Sequence, residues 1–259
     1  MKLALSLLLC AFYLSLYAQS SILQAGPMVG YSEMTEVQLW VQTKESAKVH
    51  FNFWEKGGNK SDMRTSTSIR TKVDQAFTAK VSLQDLLPGK TYEYQLFIND
   101  QGLKFPYPTE FQTQVLWQWR TDPPNFKIAI GSCSYINEPE FDRPGKGYGG
   151  EYEIFEGIHK QEPDAMIWLG DNTYLREVDW YTKSGIFHRY THTRSTKEMQ
   201  ALLASTHHYA IWDDHDFGPD DSDRSFIHKD KTLNAFELFW ANPTTGIPQT
   251  NGGITTQFQ

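Results

Sequence analysis

The first part of the chain alternates between apolar and polar side chains in short runs. The clearest runs span residues 37–41, 49–54 and 77–81. Alternation of this kind is typical of strands that bury one face, and residues 55–59 between two of the runs have the composition of a turn. The pattern predicts that residues 20–113 form an all-β sandwich.

One later stretch adds detail to this prediction. Residues 86–94 read Leu-Leu-Pro-Gly-Lys-Thr-Tyr-Glu-Tyr and lead into a predicted strand. The stretch resembles the tyrosine corner of such sandwiches, in which a tyrosine hydroxyl bonds to the backbone a few residues upstream. We therefore expect the N-terminal domain to resemble a fibronectin type III sandwich.

Residues 114–125 interrupt the β pattern. The consecutive prolines Pro123 and Pro124 break any regular element, so we expect a linker between two domains. Trp117 and Trp119 precede the prolines, and we expect both side chains to pack between those domains.

A different pattern begins after residue 125. Short apolar runs, which indicate buried strands, alternate with stretches of helical spacing. The expected strands cover residues 126–130, 164–169 and 208–212, and the expected helices cover residues 152–160, 186–203 and 234–240. The alternation predicts that residues 126–259 form an α/β layer with a central sheet. Such sheets place their functional groups just past the carboxyl ends of the strands.

Residues that can bind cations follow all three expected strands. Cys133 follows the first strand, Asp171 and Tyr174 follow the second, and Asp213, Asp214 and His215 follow the third. A single Asp or His at a strand end is more often a cap or a turn former. Three successive strand ends at one sheet edge instead predict a metal site, because carboxylate, thiolate, phenolate and imidazole groups bind hard or borderline cations.

Three motifs carry a resemblance to a known family. They are Gly-Ser-Cys at 131–133, Trp-Leu-Gly-Asp-Asn-Thr-Tyr at 168–174 and Trp-Asp-Asp-His-Asp-Phe-Gly-Pro at 212–219. Together they resemble the PhoD-like alkaline phosphatase/phosphodiesterase family, one of the calcineurin-like metallophosphoesterases. The resemblance implies a metallophosphoesterase domain, a β-sandwich flanked by helices, and an all-β domain in front of it fits that organisation.

The resemblance also implies a cluster of iron(III) and calcium ions, although other divalent metals stay open. The implied metal ligands are Cys133, Asp171, Tyr174, Asp213 and Asp214. Asp171 would bridge the ions and, with His215, would be a catalytic residue. The implied reaction is the hydrolysis of phosphate mono- or diesters by a metal-activated water, with His215 stabilising the developing charge or protonating the leaving oxygen.

Arg176 and Asn172 are the candidate substrate-binding residues. An arginine can pair with phosphate through two N–H groups, but solvation or a salt bridge within the protein is the alternative for Arg176 and for the further candidates Arg189 and Arg194. His207 and His208 are expected to be packed or hydrogen-bonded rather than to bind a metal.

The first residues have the organisation of a secretory signal peptide. Lys2 precedes an apolar run over residues 3–16, and small residues follow, as in signals that are cleaved on export. We assign residues 1–19 to this signal and expect a periplasmic or extracellular protein. The apolar run is shorter than the roughly 20 residues that span a bilayer, and no later segment approaches that length, so no integral membrane segment is expected.

Cysteine content and charge narrow the possible roles further. Loss of the signal would remove Cys10 and leave Cys133 alone. An unpaired cysteine is either a small buried residue or a thiolate ligand, and counting leaves both open. The formal net charge of −7 argues against a nucleic-acid backbone as partner, since that needs a basic surface. The expected partner is a phosphate-ester small molecule or a phosphodiester polymer.

The C-terminal residues predict that the chain is the front portion of a longer hydrolase. Residues 254–259 have the pattern of a beginning strand, and no Gly-Asp-x-His motif follows Asp221, although the superfamily places further ligands in such a motif. The alternative function is an inactive fragment, or a binding or adhesion protein whose β-sandwich precedes a degenerate phosphoesterase-like domain.

Overall fold

The computed structural model describes residues 22–247 and 253–258. The predicted signal peptide at 1–19 lies outside the described residues, so export stays a prediction. In the part of the chain that is described, no helix is long and apolar enough to cross a membrane.

The N-terminal part is built from strands, as the alternating pattern predicts. The strands are β1 (Leu23–Ser32), β2 (Val37–Thr43), β3 (Lys48–Glu55), β4 (Arg64–Thr65), β5 (Ile69–Arg70), β6 (Thr78–Leu83), β7 (Thr91–Ile98), β8 (Gln101–Gly102) and β9 (Glu110–Gln112). Two short 3-10 turns, Lys60–Asp62 and Val73–Gln75, connect them.

The C-terminal part alternates strands with helices, and this prediction is also confirmed. Its elements are β10 (Ile128–Gly131), α1 (Glu153–His159), β11 (Ala165–Leu169), α2 (Lys183–Arg194), a 3-10 turn (Lys197–Met199), α3 (Gln200–Ser205), β12 (His207–Ile211), α4 (Asp214–Phe217) and α5 (Lys229–Phe239). The helical region expected over 186–203 is therefore confirmed, with a break at residues 195–196. The break lies where the Ser195 hydroxyl donates to the Thr191 carbonyl and Thr196 leaves the helical conformation, with φ −54° and ψ 121°.

The strands form two sheets, and one of them contains strands from both the N-terminal and the C-terminal part of the chain. One sheet has the order β10-β11-β12-β1-β2-β6, and the other has the order β4-β3-β7-β8, with β5 paired to β3 and β9 paired to β7. The first sheet joins both halves of the chain because β1 lies parallel to β12, with Val29 opposite His207. The pairing gives hydrogen-bond partners to the backbone groups along one edge of β1 and one edge of β12, which would otherwise be unpaired.

The predicted tyrosine corner is present. The backbone N–H of Leu87 donates to the Tyr92 hydroxyl at 2.9 Å, and Tyr92 is buried in the core between the two sheets. Two residues later, the buried Tyr94 hydroxyl donates to the Ala204 carbonyl in α3 at 2.7 Å. The second tyrosine therefore ties the sandwich to the helical layer.

The segment 114–125 contains no helix or strand, as expected. The expected packing of Trp119 between two domains is wrong, because its side chain is 92% exposed. A left-handed backbone conformation at Trp119 (φ 66°) turns the chain there. Trp117 is 38% exposed, so it is covered in part.

The three parallel strands bury one face against the helices and leave the other face only partly covered. Met166, Trp168 and Ala210 face the helices and belong to their core. On the opposite face, Ile130, Leu169 and Ile211 are each at least 40% exposed. Within 253–258 the structure shows no strand, so the strand expected there is not formed in these residues.

Candidate metal centre

Parallel pairing brings the three predicted strand ends together. Gly131 at the end of β10 lies opposite Trp168, and Leu169 at the end of β11 lies opposite Ile211. The loops beyond the first two strands are then joined by the backbone, since Cys133 N–H donates to the Gly170 carbonyl at 3.2 Å and Ser134 N–H donates to the Asp171 carbonyl at 2.8 Å.

The backbone at these strand ends is strained. Cys133 and Asp171 both have left-handed conformations, with φ of 57° and 52°, which non-glycine residues seldom adopt. Gly170 has φ 96°, and a Cβ there would lie 2.6 Å from the Asp213 Cβ. The loops that follow β11 and β12 therefore approach each other more closely than a residue larger than glycine at position 170 would allow. Backbone strain of this kind often accompanies a functional site.

Asp171 is at the centre of the resulting cluster. Its Oδ2 accepts a hydrogen bond from the Tyr174 hydroxyl at 3.0 Å and lies 3.6 Å from the Cys133 Sγ. Its Oδ1 is buried and has no hydrogen-bond partner within the part of the chain that the structure describes. Ligand atoms of Asp171, Asp214 and His215 all lie within 4.8 Å of one another, so carboxylates and an imidazole from two strand ends meet at one point.

Tyr174 and His215 flank this point. Their rings lie 4.4 Å apart between centroids, and burial, with hydrogen bonds to Cys133 and Asp171, raises the pKa of the Tyr174 phenol. The His215 Nε2 lies 3.3 Å from the Asp220 Oδ1. The imidazole is 25% exposed and so remains reachable from solvent.

Cys133 is exposed. The alternative that it is a small buried residue is therefore wrong. Its Sγ contacts the Asp171 carboxylate, but among the described residues it belongs to no group of three potential ligand atoms, so its role as a ligand stays a prediction.

Asp213 has a clear structural task. It is the N-cap of α4, and its side chain accepts a hydrogen bond from the Asp214 N–H at 3.0 Å. Among the described residues, its carboxylate belongs to no group of three potential ligand atoms. Its predicted role as a ligand stays a prediction. The exposed Asp220 and Asp221 form a second acidic group with Asp214.

Sequence reasoning missed Asp216, which fixes the geometry of both loops. Its carboxylate accepts hydrogen bonds from the Asn172 N–H, 3.1 Å from each oxygen, and from the Asp213 N–H at 3.2 Å. Burial raises the pKa of Asp216 to about 8. The spacing of Asp213 and Asp216 is that of a capping box, a signal that could have identified this residue.

The two candidate substrate-binding residues are buried, at 2% exposure for Asn172 and 6% for Arg176. Asn172 donates through Nδ2 to the Ile211 carbonyl at 2.7 Å and so holds the ends of β11 and β12 together. Arg176 donates through Nε to the Asp142 carboxylate at 2.9 Å and through a terminal nitrogen to the Ile136 carbonyl at 2.7 Å. These contacts favour the alternative role of Arg176 as a salt bridge within the protein, and its pairing with substrate stays a prediction.

The remaining basic residues also have structural roles. Arg189 is fully buried, and its Nε donates to the Asp179 carboxylate at 2.7 Å. His207 and His208 are buried and hydrogen-bonded, to Gly30 and to Trp168 respectively. The expectation that these two histidines are packed rather than ligands agrees with this placement.

Part of the sequence matches a known family profile, and the fold is similar to solved structures. The profile of a family described as a domain of unknown function, DUF7800, matches residues 20–116. No curated protein sequence matches the chain. Among solved structures, PhoD is similar with a TM-score of 0.69 and 16% identity over 92% of this chain and 49% of that one.

A purple acid phosphatase, PPD1 from yellow lupin seeds, is similar with a TM-score of 0.58 and 11% identity. The similarity covers 85% of this chain and 41% of that one. At these identities the comparisons establish a shared fold, with mixed sheets flanked by helices. The chain spans about half the length of the PhoD structure.

Proposed function

We propose that the protein is a metal-dependent phosphoesterase that hydrolyses phosphate mono- or diesters. The observation that carries this proposal is the Asp171 Oδ1, which lies where three strand ends meet and is buried without a hydrogen-bond partner among the described residues. A buried polar atom without a partner is costly, and a cation at this position would remove that cost.

The donors around Asp171 fit a multivalent cation. Asp171 and Asp214 would hold it, with the Tyr174 phenolate and the Cys133 thiolate as further ligands, and His215 would lie beside them. Phenolate and carboxylate oxygens suit hard ions, whereas thiolate suits softer ones. We therefore keep iron(III) with calcium as the proposed metals. When bound, such ions withdraw charge from a phosphate ester and lower the pKa of a water.

The contacts of the residues around Asp171 and Asp214 indicate the role of each residue. The buried Asp216 and Asn172 hold the loops that carry Asp171 and Asp214 in place. His215 is the partly exposed group beside them, and its imidazole can donate a proton to a leaving alcohol oxygen. The Tyr174 phenol oxygen lies 3.0 Å from the Asp171 carboxylate, so it would lie beside the same cation.

The proposal is tested by hydrolysis of 4-nitrophenyl phosphate and bis(4-nitrophenyl) phosphate by the full-length protein supplied with iron and calcium. Asp171→Asn keeps the shape of the side chain but removes its charge. We expect it to lower kcat/KM roughly 100-fold or more, because removing a group that only orients a ligand already costs about 10–100-fold. The exposed Asp74 gives the matched control, Asp74→Asn, which should retain full activity.

Two results would overturn the proposal. One is the absence of hydrolysis of either ester by the metal-supplied wild type, which would favour a binding protein with a degenerate second part. The other is full activity in Asp171→Asn.

A further inference from the structure

A row of aromatic rings leads away from the candidate metal centre. The Tyr174 ring beside His215 lies 5.0 Å from the Tyr135 ring, and Tyr135 lies 4.8 Å from Tyr148. Tyr135 follows Cys133 by two residues, so the row begins in the same loop that carries the candidate thiolate. Tyr148 is 52% exposed and forms the outer end of the row.

Tyr148 is held firmly despite its exposure. Its backbone N–H donates to the Asn137 Oδ1 at 2.7 Å, and its carbonyl accepts from the Asn137 Nδ2 at 2.7 Å. Asn137 is fixed in turn by the Tyr152 hydroxyl, which accepts from its backbone N–H and from its Nδ2 at 2.8 Å each. An exposed ring on an anchored backbone loses less conformational entropy when a ligand binds than a ring on a mobile loop does.

Tyr135 is fixed on its inner side. The Arg176 guanidinium lies 4.3 Å from the centre of its ring, and its hydroxyl donates to the Asp142 carboxylate at 2.8 Å. The same carboxylate pairs with Arg176. The buried Arg176 and the Asp142 carboxylate therefore hold the Tyr135 ring in place.

We propose that Tyr135 and Tyr148 form a subsite for a planar, apolar organic group of the phosphate ester. This inference rests on the proposed function, since it assigns the substrate class of that same site. With the phosphate at Asp171, an aromatic group two rings long can extend along the row and stack on Tyr148. Offset or edge-to-face contact between rings is favourable beyond the area that it buries.

The test compares two non-hydrolysable phosphonates by isothermal titration calorimetry on the metal-loaded, full-length protein. Methylphosphonate carries only the head group, and biphenyl-4-ylphosphonate adds two rings. We expect the biphenyl compound to bind wild type roughly three- to tenfold more tightly, as ring contacts of this kind allow. Tyr148→Ala should abolish most of that preference, whereas Tyr148→Phe should retain it.

Tyr181→Ala is the matched control, because Tyr181 is 60% exposed and makes its ring contacts with Trp180 and His228 instead. This variant should retain the biphenyl preference. Equal affinity for both phosphonates, or a preference unchanged in Tyr148→Ala, would overturn the subsite while leaving the phosphoesterase proposal in place. Failure of methylphosphonate to bind wild type would overturn both.

Discussion

His208 in β12 should lower the free energy of unfolding as the solution becomes acidic. The residue is fully buried, accepts a hydrogen bond from the Trp168 Nε1 at 2.9 Å and contacts the Leu202 carbonyl through Nε2 at 3.2 Å. Burial lowers its pKa from 6.5 to about 3. The unfolded chain therefore takes up a proton near pH 6.5, while the folded protein keeps the imidazole neutral.

The magnitude follows from this difference in pKa. The stabilisation is fully present above pH 6.5 and is lost as the pH falls towards 3, at about 1.4 kcal/mol per pH unit. Between pH 7.5 and 4.5, His208 should lower the free energy of unfolding by about 2–3 kcal/mol. His207, whose pKa is also lowered by burial, acts in the same direction.

Urea denaturation at pH 7.5 and 4.5, followed by tryptophan fluorescence, measures this effect. His208→Gln removes the titrating group, so the variant should lose about 2–3 kcal/mol less than wild type over this interval, whatever its stability at pH 7.5. Carboxylates that titrate over the same interval are common to both proteins and cancel in the comparison. An identical pH dependence in wild type and variant would refute the reasoning.

Three further substitutions test the packing around the strand ends and the sandwich. Gly170→Ala should reduce both metal content and thermal stability, because its Cβ would meet Asp213 at 2.6 Å; unchanged values for both would contradict the close approach. Tyr92→Phe should cost about 1 kcal/mol in urea denaturation, since the Leu87 N–H loses its acceptor; a neutral effect would mean that the corner adds nothing. Arg189→Met should cost about 3–5 kcal/mol by leaving Asp179 buried and unpaired, and a stabilised variant would show that the pair is dispensable.

The strands and the meeting of their ends were predictable from local patterns. Alternation indicated the strands of the sandwich, and the Leu-Pro-Gly-x-x-Tyr spacing indicated the hydrogen bond of Tyr92. Placing Asp171 beside His215 needed only the rule that parallel strands end at one sheet edge. These features depend on periodicity and chain direction, which a sequence carries.

The contacts that sequence reasoning missed depend on distant partners. Pairing of β1 with β12 joins residues 178 positions apart through Val29 and His207, and no local pattern encodes it. The sequence allowed Arg176 to pair with phosphate or with another residue of the protein. In the structure it pairs with Asp142, which lies 34 positions away. The exposure of Trp119 follows from a backbone turn rather than from its composition.

The metal content of the purified full-length protein tests the central claim most directly. We predict at least one tightly bound multivalent ion per chain in wild type and in Asp74→Asn, measured by inductively coupled plasma mass spectrometry after dialysis against a weak chelator. Asp171→Asn should lose that ion while keeping the wild-type far-ultraviolet circular dichroism spectrum. Equal metal content in Asp171→Asn, or a wild type that binds neither iron nor any divalent ion on reconstitution, would contradict the account.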